Sequence, residues 1–292
     1  MIKEGLILKG IGGFYYVETS DGVFECKAKG KFRKNGISPL AGDKVIITVR
    51  EDKENTIDEI QPRKNKLVRP PVANIDKLLI VVSVAKPYPN TQIIDKMTLL
   101  AEKNGIEPVI VITKTDLAEF DEIYSIYKST GYRVYTFSSV DNKGIDKIKA
   151  ELKNSITAFT GNSGVGKSTL INALNGNDDI KTGEISEKLG RGRHTTRQAE
   201  IIKIADGLVI DTAGFSSIDF VDDNIMLSED VQYYFREFDE YIGQCKFTGC
   251  AHLGEKGCKI CEMVDKGIIS KSRHNSYVSM YNELKDVKKW NL

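Results

Sequence analysis

The chain has 292 residues, of which 40% are hydrophobic, so it is long enough for two or three domains with ordinary buried cores. Its 42 Lys and Arg residues balance its 41 Asp and Glu residues, which excludes a uniformly basic nucleic-acid-binding chain. No apolar run approaches the length of a membrane span, the N-terminus lacks signal-peptide features, and five cysteines are too few and too clustered for a disulfide framework. These features predict a cytoplasmic protein with no membrane partner.

Residues 1–68 show the pattern of a small all-β domain. Alternating residues predict strands at Gly13–Glu18, Gly22–Lys27 and Lys44–Val49, with turn sequences at 20–22 and 41–43. Several short strands in so few residues favour a small closed barrel.

Two basic clusters lie in and just after this domain, and aromatic residues accompany the first. The basic residues are Lys27, Lys29, Lys31, Arg33 and Lys34, then Arg63, Lys64, Lys66 and Arg69; the aromatic residues are Phe14, Tyr15, Tyr16, Phe24 and Phe32. Cationic side chains beside stacking rings are how small barrels hold RNA. The alternative is a solvated basic surface over aromatic residues that fill the core, and the sequence leaves both open.

The sequence after Arg69-Pro70-Pro71 alternates between strands and helices. Continuous apolar runs and one shorter segment predict strands at 77–84, 108–113, 133–137, 155–160 and 208–210. Helices are predicted at 91–104, capped by Asn90, and near 119–129, 145–152 and 169–175. This order predicts a parallel sheet with helices on both faces.

The segment Gly161–Thr169 fits the phosphate-loop pattern G-x-x-x-x-G-K-[S/T] between a predicted strand and a predicted helix. Its members are Gly161, Asn162, Ser163, Gly164, Val165, Gly166, Lys167, Ser168 and Thr169. The glycines let backbone amides approach phosphate oxygens, Lys167 would reach the β- and γ-phosphates, and the Ser168 hydroxyl would bind Mg²⁺. A glycine-rich turn without a ligand is the alternative, but strand, loop, lysine, hydroxyl and helix together favour a nucleoside triphosphate site.

Three further motifs follow predicted strands. Thr113, Lys114, Thr115 and Asp116 follow the second strand of the α/β region, Ser138 and Ser139 follow the third, and Asp211 to Gly214 form a D-x-x-G element after the last. The Asp116 carboxylate can accept hydrogen bonds from guanine N1–H and its exocyclic amine, which selects GTP over ATP. Small residues at 138–139 let amides approach the base oxygen. Asp211 would hold Mg²⁺ through water, and the Gly214 amide would sense the γ-phosphate.

The order of these motifs indicates a circular permutation. In an ordinary GTPase the phosphate loop comes first and the base-reading loops come last, whereas here residues 113–116 and 138–139 precede Gly161.

A loop at Lys188–Arg197 separates the phosphate loop from Asp211, and its composition suits contact with Mg²⁺ and the γ-phosphate through Thr195 or Thr196. Phe215 stands where many GTPases have a glutamine that orients the attacking water. His194 is the nearest polar candidate for that role, and a solvated loop histidine is the alternative.

The C-terminal part is predicted to be helical near 229–241, capped by Ser228, and near 271–290, capped by Ser270. Between them lie Cys245, Cys250, His252, Cys258 and Cys261, a spacing that suits a structural four-coordinate Zn²⁺ site. Five candidates compete for four positions, although a helix at 259–266 favours a packed thiol at Cys261. Cys26 is expected to pack in a strand, and His274 to lie on the surface.

The permuted motif order, Gly192 to Arg197, the segments 62–65 and 69–76, and the Cys-x₄-Cys-x-His-x₅-Cys cluster resemble the ribosome small subunit-dependent GTPase A (RsgA) family. The resemblance covers essentially the whole chain. It implies a multidomain α/β protein with an OB-fold barrel, a circularly permuted GTPase domain and a C-terminal zinc domain. It also implies zinc ligands at Cys245, Cys250, His252 and Cys258, and a catalytic histidine at His194.

The sequence thus predicts domains at 1–68, 69–217 and 218–292, with GTP or GDP, Mg²⁺ and one structural Zn²⁺ as bound groups. The family implies a GTPase that binds the small ribosomal subunit and its rRNA during late maturation, with turnover stimulated by that subunit. A monomer is expected. Two departures from common patterns are Thr113, where most GTPases have asparagine, and Thr212-Ala213, where family members often have Ser-Pro. The alternatives are a GTPase with another RNA or protein partner, and a GTP-dependent RNA-binding switch with little hydrolysis.

Overall fold

The structure is a computed structural model that describes residues 1–67, 71–176, 199–211 and 226–287, with only the backbone of Asp211 described. These residues form two compact units. The first unit contains the N-terminal barrel and most of the second half of the α/β region. The second contains the first half of that region, residues 161–166 and the C-terminal helices. No helix within the described ranges is long and apolar enough to cross a membrane.

The N-terminal residues form a small closed barrel, as the sequence predicts, and it has five strands in the order β1-β2-β3-β5-β4. Its strands are β1 (Ile2–Ile11), β2 (Phe14–Thr19), β3 (Gly22–Ala28), β4 (Lys44–Thr48) and β5 (Asn55–Ile60). A short helix α1 (Gly30–Lys34) follows β3. The pairing of β1 with β4 and the parallel pairing of β3 with β5 close the barrel. Strands β1 and β5 have no counterpart among the predicted strands.

The barrel core explains the alternating pattern, because inward-facing residues are buried and their neighbours are not. The core residues are Ile7, Val17, Cys26, Phe32, Val45, Ile47 and Ile57. Cys26 packs in this core as expected, and burial raises the pKa of its thiol to about 11. Phe32 also lies in the core, so for this residue the packing interpretation is the right one.

The α/β region forms a six-stranded sheet in the order β10-β9-β8-β11-β13-β12. A two-stranded ribbon, β6 (Lys66–Leu67) and β7 (Val72–Ala73), precedes it. The sheet strands are β8 (Lys77–Ser83), β9 (Glu107–Thr113), β10 (Arg133–Phe137), β11 (Ile156–Thr160), β12 (Ile201–Ile204) and β13 (Gly207–Asp211). The helices are α2 (Thr91–Lys103), α3 (Asp121–Lys128), α4 (Ile145–Leu152) and α5 (Lys167–Asn175).

The predicted strands and helices of this sheet are confirmed to within a few residues. Asn90 caps α2 as predicted, since its side chain accepts a hydrogen bond from the Ile93 amide at 3.2 Å. Strand β12, which pairs antiparallel with β13 at the sheet edge, was not predicted. The sheet is therefore parallel except for this edge strand.

The C-terminal residues differ from the predicted pair of long helices. Residues 228–238 form two 3₁₀ segments, Ser228–Tyr234 and Arg236–Phe238, separated by an extended Phe235 with φ −110° and ψ 94°. This break accompanies the burial of Phe235, whose ring stacks on Phe238 at a centroid distance of 5.3 Å.

Helices α6 (Lys259–Asp265) and α7 (Lys271–Leu284) follow. The predicted cap at Ser228 is wrong, because Ser228 lies inside its 3₁₀ segment. Ser270 occupies the N-cap position of α7 as predicted, although its side chain makes no capping hydrogen bond. The last residues of the predicted helix near 271–290 lie outside the described residues. The division into domains at residues 68 and 217 stays a prediction.

Candidate nucleotide site and metal centre

Residues 161–166 join strand β11 to helix α5, which is the context that the phosphate-loop motif requires. Gly161 has a φ of 149°, and a Cβ at this position would lie 2.4 Å from the Val81 carbonyl oxygen. Only glycine lets the loop leave the sheet so close to another strand. Gly164 and Gly166 also have positive φ, at 82° and 94°. Lys167 and Ser168 then open α5, so the partial positive charge of the helix N-terminus lies at the end of the loop.

Thr113 connects the base-reading motif to the phosphate loop. Its side chain is buried, and its hydroxyl donates to the Val165 carbonyl oxygen at 2.5 Å and lies 3.1 Å from that of Val82. The threonine in place of the usual asparagine is therefore bonded directly to the phosphate-loop backbone. This contact brings two motifs together that are about fifty residues apart in the sequence.

The remaining residues of the base-reading motif lie at the end of β9, beside the end of β10. Strands β9 and β10 are parallel, with Thr113 opposite Phe137, so residues 113–116 and 138–139 leave the sheet at the same edge. Lys114 has a φ of 59° and its Nζ donates to the Lys86 carbonyl oxygen, while the Thr115 hydroxyl donates to the Phe137 carbonyl oxygen at 3.4 Å.

Asp116 and Ser139 are exposed, and Ser138 is buried with its hydroxyl accepting from the Val140 amide at 3.3 Å. The Asp116 carboxylate is thus accessible to a base that enters from solvent. The Ser138 hydroxyl instead stabilises the turn after β10.

Asp211 ends β13, and its backbone pairs in register with Phe159 of β11, two residues before Gly161. The D-x-x-G element therefore begins at the edge where the phosphate loop leaves the sheet. Gly214, His194, Thr195, Thr196 and Phe215 lie outside the described residues.

Four of the five C-terminal metal-ligand candidates converge. The ligand atoms of Cys245, Cys250, His252 and Cys258 all lie within 4.8 Å of one another. The Cys245 sulfur is 3.9 Å from that of Cys258 and 3.6 Å from His252 Nδ1, and the latter is 3.4 Å from the Cys258 sulfur. Tetrahedral Zn²⁺ with ordinary bond lengths places two sulfurs about 3.8 Å apart and a sulfur and a nitrogen about 3.6 Å apart. The arrangement therefore fits Zn²⁺.

Hydrogen bonds with neighbouring groups favour metal binding by these side chains. His252 Nε2 lies 3.0 Å from the Gln232 side-chain oxygen, so Nε2 carries the proton and Nδ1 keeps its lone pair for the metal. The amides of Lys259 and Cys261 point at the sulfurs of Cys245 and Cys258, at 3.3 and 3.4 Å, and would stabilise thiolates. Without a metal, burial raises the pKa of the Cys258 thiol to about 12, so metal binding must displace its proton at neutral pH.

Cys261 does not join the cluster. Its sulfur contacts the His252 carbonyl oxygen at 3.7 Å and His274 Nε2 at 3.9 Å. His274 is not a surface residue as predicted, because it is half-buried, donates to the His252 carbonyl oxygen at 2.8 Å and stacks on Tyr277.

Family models match most of the chain. Residues 60–221 match the RsgA GTPase model, and residues 4–57 match the model of the RsgA N-terminal domain. The chain belongs to the RsgA GTPase family. Members hydrolyse GTP with Mg²⁺, and the cluster of three cysteines and one histidine suits one structural Zn²⁺.

Relatives in this family match the chain over nearly its full length. A protein of Caldanaerobacter subterraneus named small ribosomal subunit biogenesis GTPase RsgA is 46% identical over 290 residues, covering 98% of this chain and 97% of its own length. One of the same name from Clostridium kluyveri is 44% identical and covers 98% and 100%.

Two solved structures share the fold. YloQ, described as a circularly permuted GTPase, is 35% identical with a TM-score of 0.81, covering 99% of this chain and 96% of its own. YjeQ from Thermotoga maritima is 34% identical with a TM-score of 0.83, covering 99% and 100%. The permuted order inferred from the motifs is thereby confirmed.

Sequence reasoning missed the residues that support these sites. Gln232 orients His252 from a segment predicted as continuous helix, where no spacing singles it out. The Lys86 carbonyl, which accepts from Lys114, is a backbone group and leaves no side-chain signal at all.

Proposed function

We propose that the chain is a GTPase that binds the small ribosomal subunit and its rRNA and hydrolyses GTP during late small-subunit maturation, with turnover stimulated by that subunit. The observation that carries this proposal is the match, over 98% of the chain, to a relative named small ribosomal subunit biogenesis GTPase. The assembled phosphate and base-reading loops support the GTPase part.

The nucleotide is held, in this proposal, by the loops that end β9, β10 and β11. Residues 161–169 bind the phosphates, with Lys167 on the β- and γ-phosphates, and residues 113–116 with Ser138 and Ser139 bind guanine. Ser168 and Asp211 offer the oxygen ligands that Mg²⁺ prefers, and the ion would neutralise charge on the phosphates. The Gly214 amide contacts the γ-phosphate.

Catalysis rests on the segment before β12. Because Phe215 cannot orient water, we assign that role to His194, while Thr195 or Thr196 contacts Mg²⁺ and the γ-phosphate. Lys167 stabilises the charge that develops on the transferred group.

We assign rRNA contact to one side of the barrel, which we call the aromatic–lysine face and define as Lys9, Phe14, Tyr16 and Lys27. Lys9 and Tyr16 stand opposite each other on β1 and β2, and Phe14 stands opposite Lys27 on β3. The Lys27 ammonium lies 4.8 Å from the Phe14 ring centre, and that of Lys9 lies 5.4 Å from the Tyr16 ring centre. Half-buried rings beside lysines offer stacking and phosphate contacts together.

The second basic cluster fits RNA less well, because no aromatic residue accompanies it and Arg63 is held by a fully buried carboxylate. Lys27 and Lys29 of the first cluster also pair with carboxylates, but Glu54 and Asp58 are partly exposed. Arg63 binds the buried Asp43 carboxylate at 2.7 and 2.8 Å and the Ser38 carbonyl oxygen at 2.7 Å. Lys64 pairs with Asp76 at 3.1 Å. Arg69 lies outside the described residues. The RNA assignment therefore rests on the first cluster and its aromatic neighbours.

Co-sedimentation tests the proposed partner. The full chain, with GDP or with a non-hydrolysable GTP analogue, is centrifuged with purified small or large ribosomal subunits. We expect co-sedimentation with small subunits and the GTP analogue. Equal recovery with both subunits, or with neither, would contradict the proposal and favour a GTPase with another partner.

The base preference gives a second prediction. In Asp116→Asn, the amide replaces one carboxylate oxygen with a donor that faces the guanine amine. Two donors that face each other in the bound complex leave both unsatisfied, which costs about 1–3 kcal/mol. We therefore expect GTP turnover to fall by about ten- to a hundred-fold. Xanthosine triphosphate, which has an acceptor at that position, should become the better substrate. Turnover of both nucleotides is compared in the variant and the parent chain, and Asp121→Asn on α3 is the control. Unchanged preference in Asp116→Asn would show that Asp116 does not read the base.

A further inference from the structure

Two ion pairs connect the barrel to strand β12 and to Glu200, the residue before it. Lys9 of β1 binds Glu200 at 2.7 Å, and Lys203 of β12 binds Glu18 of β2 at 2.6 Å. The side chains of Lys9 and Glu200 are 31% and 28% exposed, whereas Lys203 is 70% exposed. The first pair is thus the more enclosed of the two.

Lys9 has two roles in this arrangement. It lies over the Tyr16 ring on the aromatic–lysine face, and its ammonium also donates to the Glu200 carboxylate. Any phosphate that binds beside Tyr16 must therefore share Lys9 with Glu200 or take it away.

Glu200 lies at the start of the strand pair that ends at the nucleotide site. It stands between buried Ala199 and buried Ile201, and Ile201 pairs with Ile210, the residue before Asp211. In sequence it follows residues 194–196, to which we assign catalytic roles, by only four positions. A change at Glu200 therefore acts on the backbone that leads into β12, whose partner strand β13 ends at Asp211.

The two acceptors have comparable strength. A partly exposed ion pair contributes about 0.2–1 kcal/mol, and an RNA phosphate offers Lys9 a similar charge-assisted hydrogen bond. Additional contacts to neighbouring phosphates and stacking on the rings favour the RNA. Once Lys9 is taken, the half-buried Glu200 carboxylate lies near a phosphate of like charge, and it loses the contact that holds it to the barrel.

We propose that Glu200 is a positioning residue through which RNA bound on the aromatic–lysine face changes GTP turnover. RNA phosphate and the Glu200 carboxylate compete for Lys9, and the loss of the Lys9–Glu200 pair is the signal that reaches β12. The inference rests on the proposed function, which supplies the RNA partner. What it adds is the competition between RNA phosphate and Glu200 for Lys9.

The variant Glu200→Gln tests the competition in the full chain. Binding is measured by anisotropy of a short fluorescein-labelled oligouridylate, and turnover is measured with and without small subunits. Because Lys9 no longer has to leave a carboxylate, we expect affinity for the oligouridylate to rise about two- to five-fold. We also expect turnover without subunits to rise and the stimulation ratio to fall.

Two further variants separate coupling from simple attachment of the barrel. Lys9→Gln should raise unstimulated turnover in the same way but weaken oligouridylate binding, because it removes a phosphate contact. Glu18→Gln breaks the other ion pair and should change neither quantity. Equal effects of Glu18→Gln and Glu200→Gln, or no effect of Glu200→Gln, would overturn the proposal. Absence of stimulation in the parent chain would refute the proposed function, while the oligouridylate affinities would still decide the competition for Lys9.

Discussion

Replacing Cys258 with serine is expected to remove the zinc ion and to destabilise residues 239–258, which lowers the thermal stability of the chain. Between the 3₁₀ segment Arg236–Phe238 and α6, the described backbone contains turns and no regular helix or strand, so the metal is the main link across these residues. Structural Zn²⁺ contributes about 10–16 kcal/mol of apparent binding free energy in small zinc domains at neutral pH, far more than the few side chains there can replace.

Zinc content per chain, measured by atomic absorption, and thermal unfolding followed by circular dichroism check this prediction. Cys261→Ser is the matched control, because its sulfur lies outside the cluster of four ligands. We expect one zinc per chain in the parent and in Cys261→Ser, and none in Cys258→Ser. Since the metal displaces protons from the thiols, zinc affinity should also fall as the pH falls. Zinc loss in Cys261→Ser with retention in Cys258→Ser would refute the assigned ligand set.

Replacing Arg273 with methionine is expected to destabilise the chain by about 3–5 kcal/mol, because the change leaves buried carboxylates without a cation. Arg273 of α7 is fully buried and binds Asp95 of α2 at 2.6 Å and Glu237 at 2.7 Å. Its guanidinium also lies 4.4 Å from the Phe235 ring centre. Although burial favours the neutral form of Arg273, the carboxylates of Asp95 and Glu237 raise its pKa well above the usual range.

Urea unfolding of the parent, of Arg273→Met and of Lys96→Met measures this cost. Lys96 pairs with Glu283 between the same two helices at 2.6 Å, but both side chains are 26% exposed, so we expect Lys96→Met to cost less than about 1 kcal/mol. A cost for Arg273→Met no larger than that for Lys96→Met would contradict the importance of the buried network.

The stability of Arg273→Met is expected to depend on pH in a definite direction. Without Arg273, burial raises the pKa of the Asp95 carboxyl in the folded chain above its value in the unfolded chain, the direction that burial already gives it in the parent. A carboxyl with a raised folded pKa favours folding at low pH, and this contribution is lost as the pH rises through the folded value. The stability deficit of Arg273→Met should therefore grow from acidic to neutral pH.

Elements with a strong local pattern could be predicted from the sequence. The strand Arg133–Phe137 and the helix Ile145–Leu152 agree with the structure at both ends, and the Asn90 cap places the start of α2. Strand β12 has only four residues, but Asp206-Gly207 after it is a hairpin turn signal that the strand prediction left unused. Its antiparallel pairing with β13 across this turn was therefore open to prediction, whereas its position at the sheet edge was not.

Tertiary packing explains the larger error in the C-terminal part. The residues from Glu229 to Tyr241 have helical spacing, yet Phe235 is extended because its ring is buried among Phe238 and Tyr277. Arg236, next in sequence, binds Glu102 and Glu107. These partners are more than a hundred residues away, so propensity alone gives the wrong secondary structure.

Motifs with strict spacing predicted where the candidate sites lie, whereas their supporting contacts needed the structure. The zinc cluster and the phosphate loop are local in sequence, and the order of the motifs alone reveals the permutation. The pairings of Lys9 with Glu200 and of Arg273 with Asp95 join residues nearly two hundred positions apart. Charged residues are common on any surface, and nothing in one sequence says which of them meet.

The most direct test of the account is GTP hydrolysis by the purified full chain, alone and with isolated small or large ribosomal subunits. We predict slow turnover by the chain alone, strong acceleration by small subunits, and no acceleration by large subunits. The same acceleration should be lost in His194→Ala while nucleotide binding persists. Turnover that neither subunit raises would contradict the account and would favour a GTP-dependent RNA-binding switch with little hydrolysis.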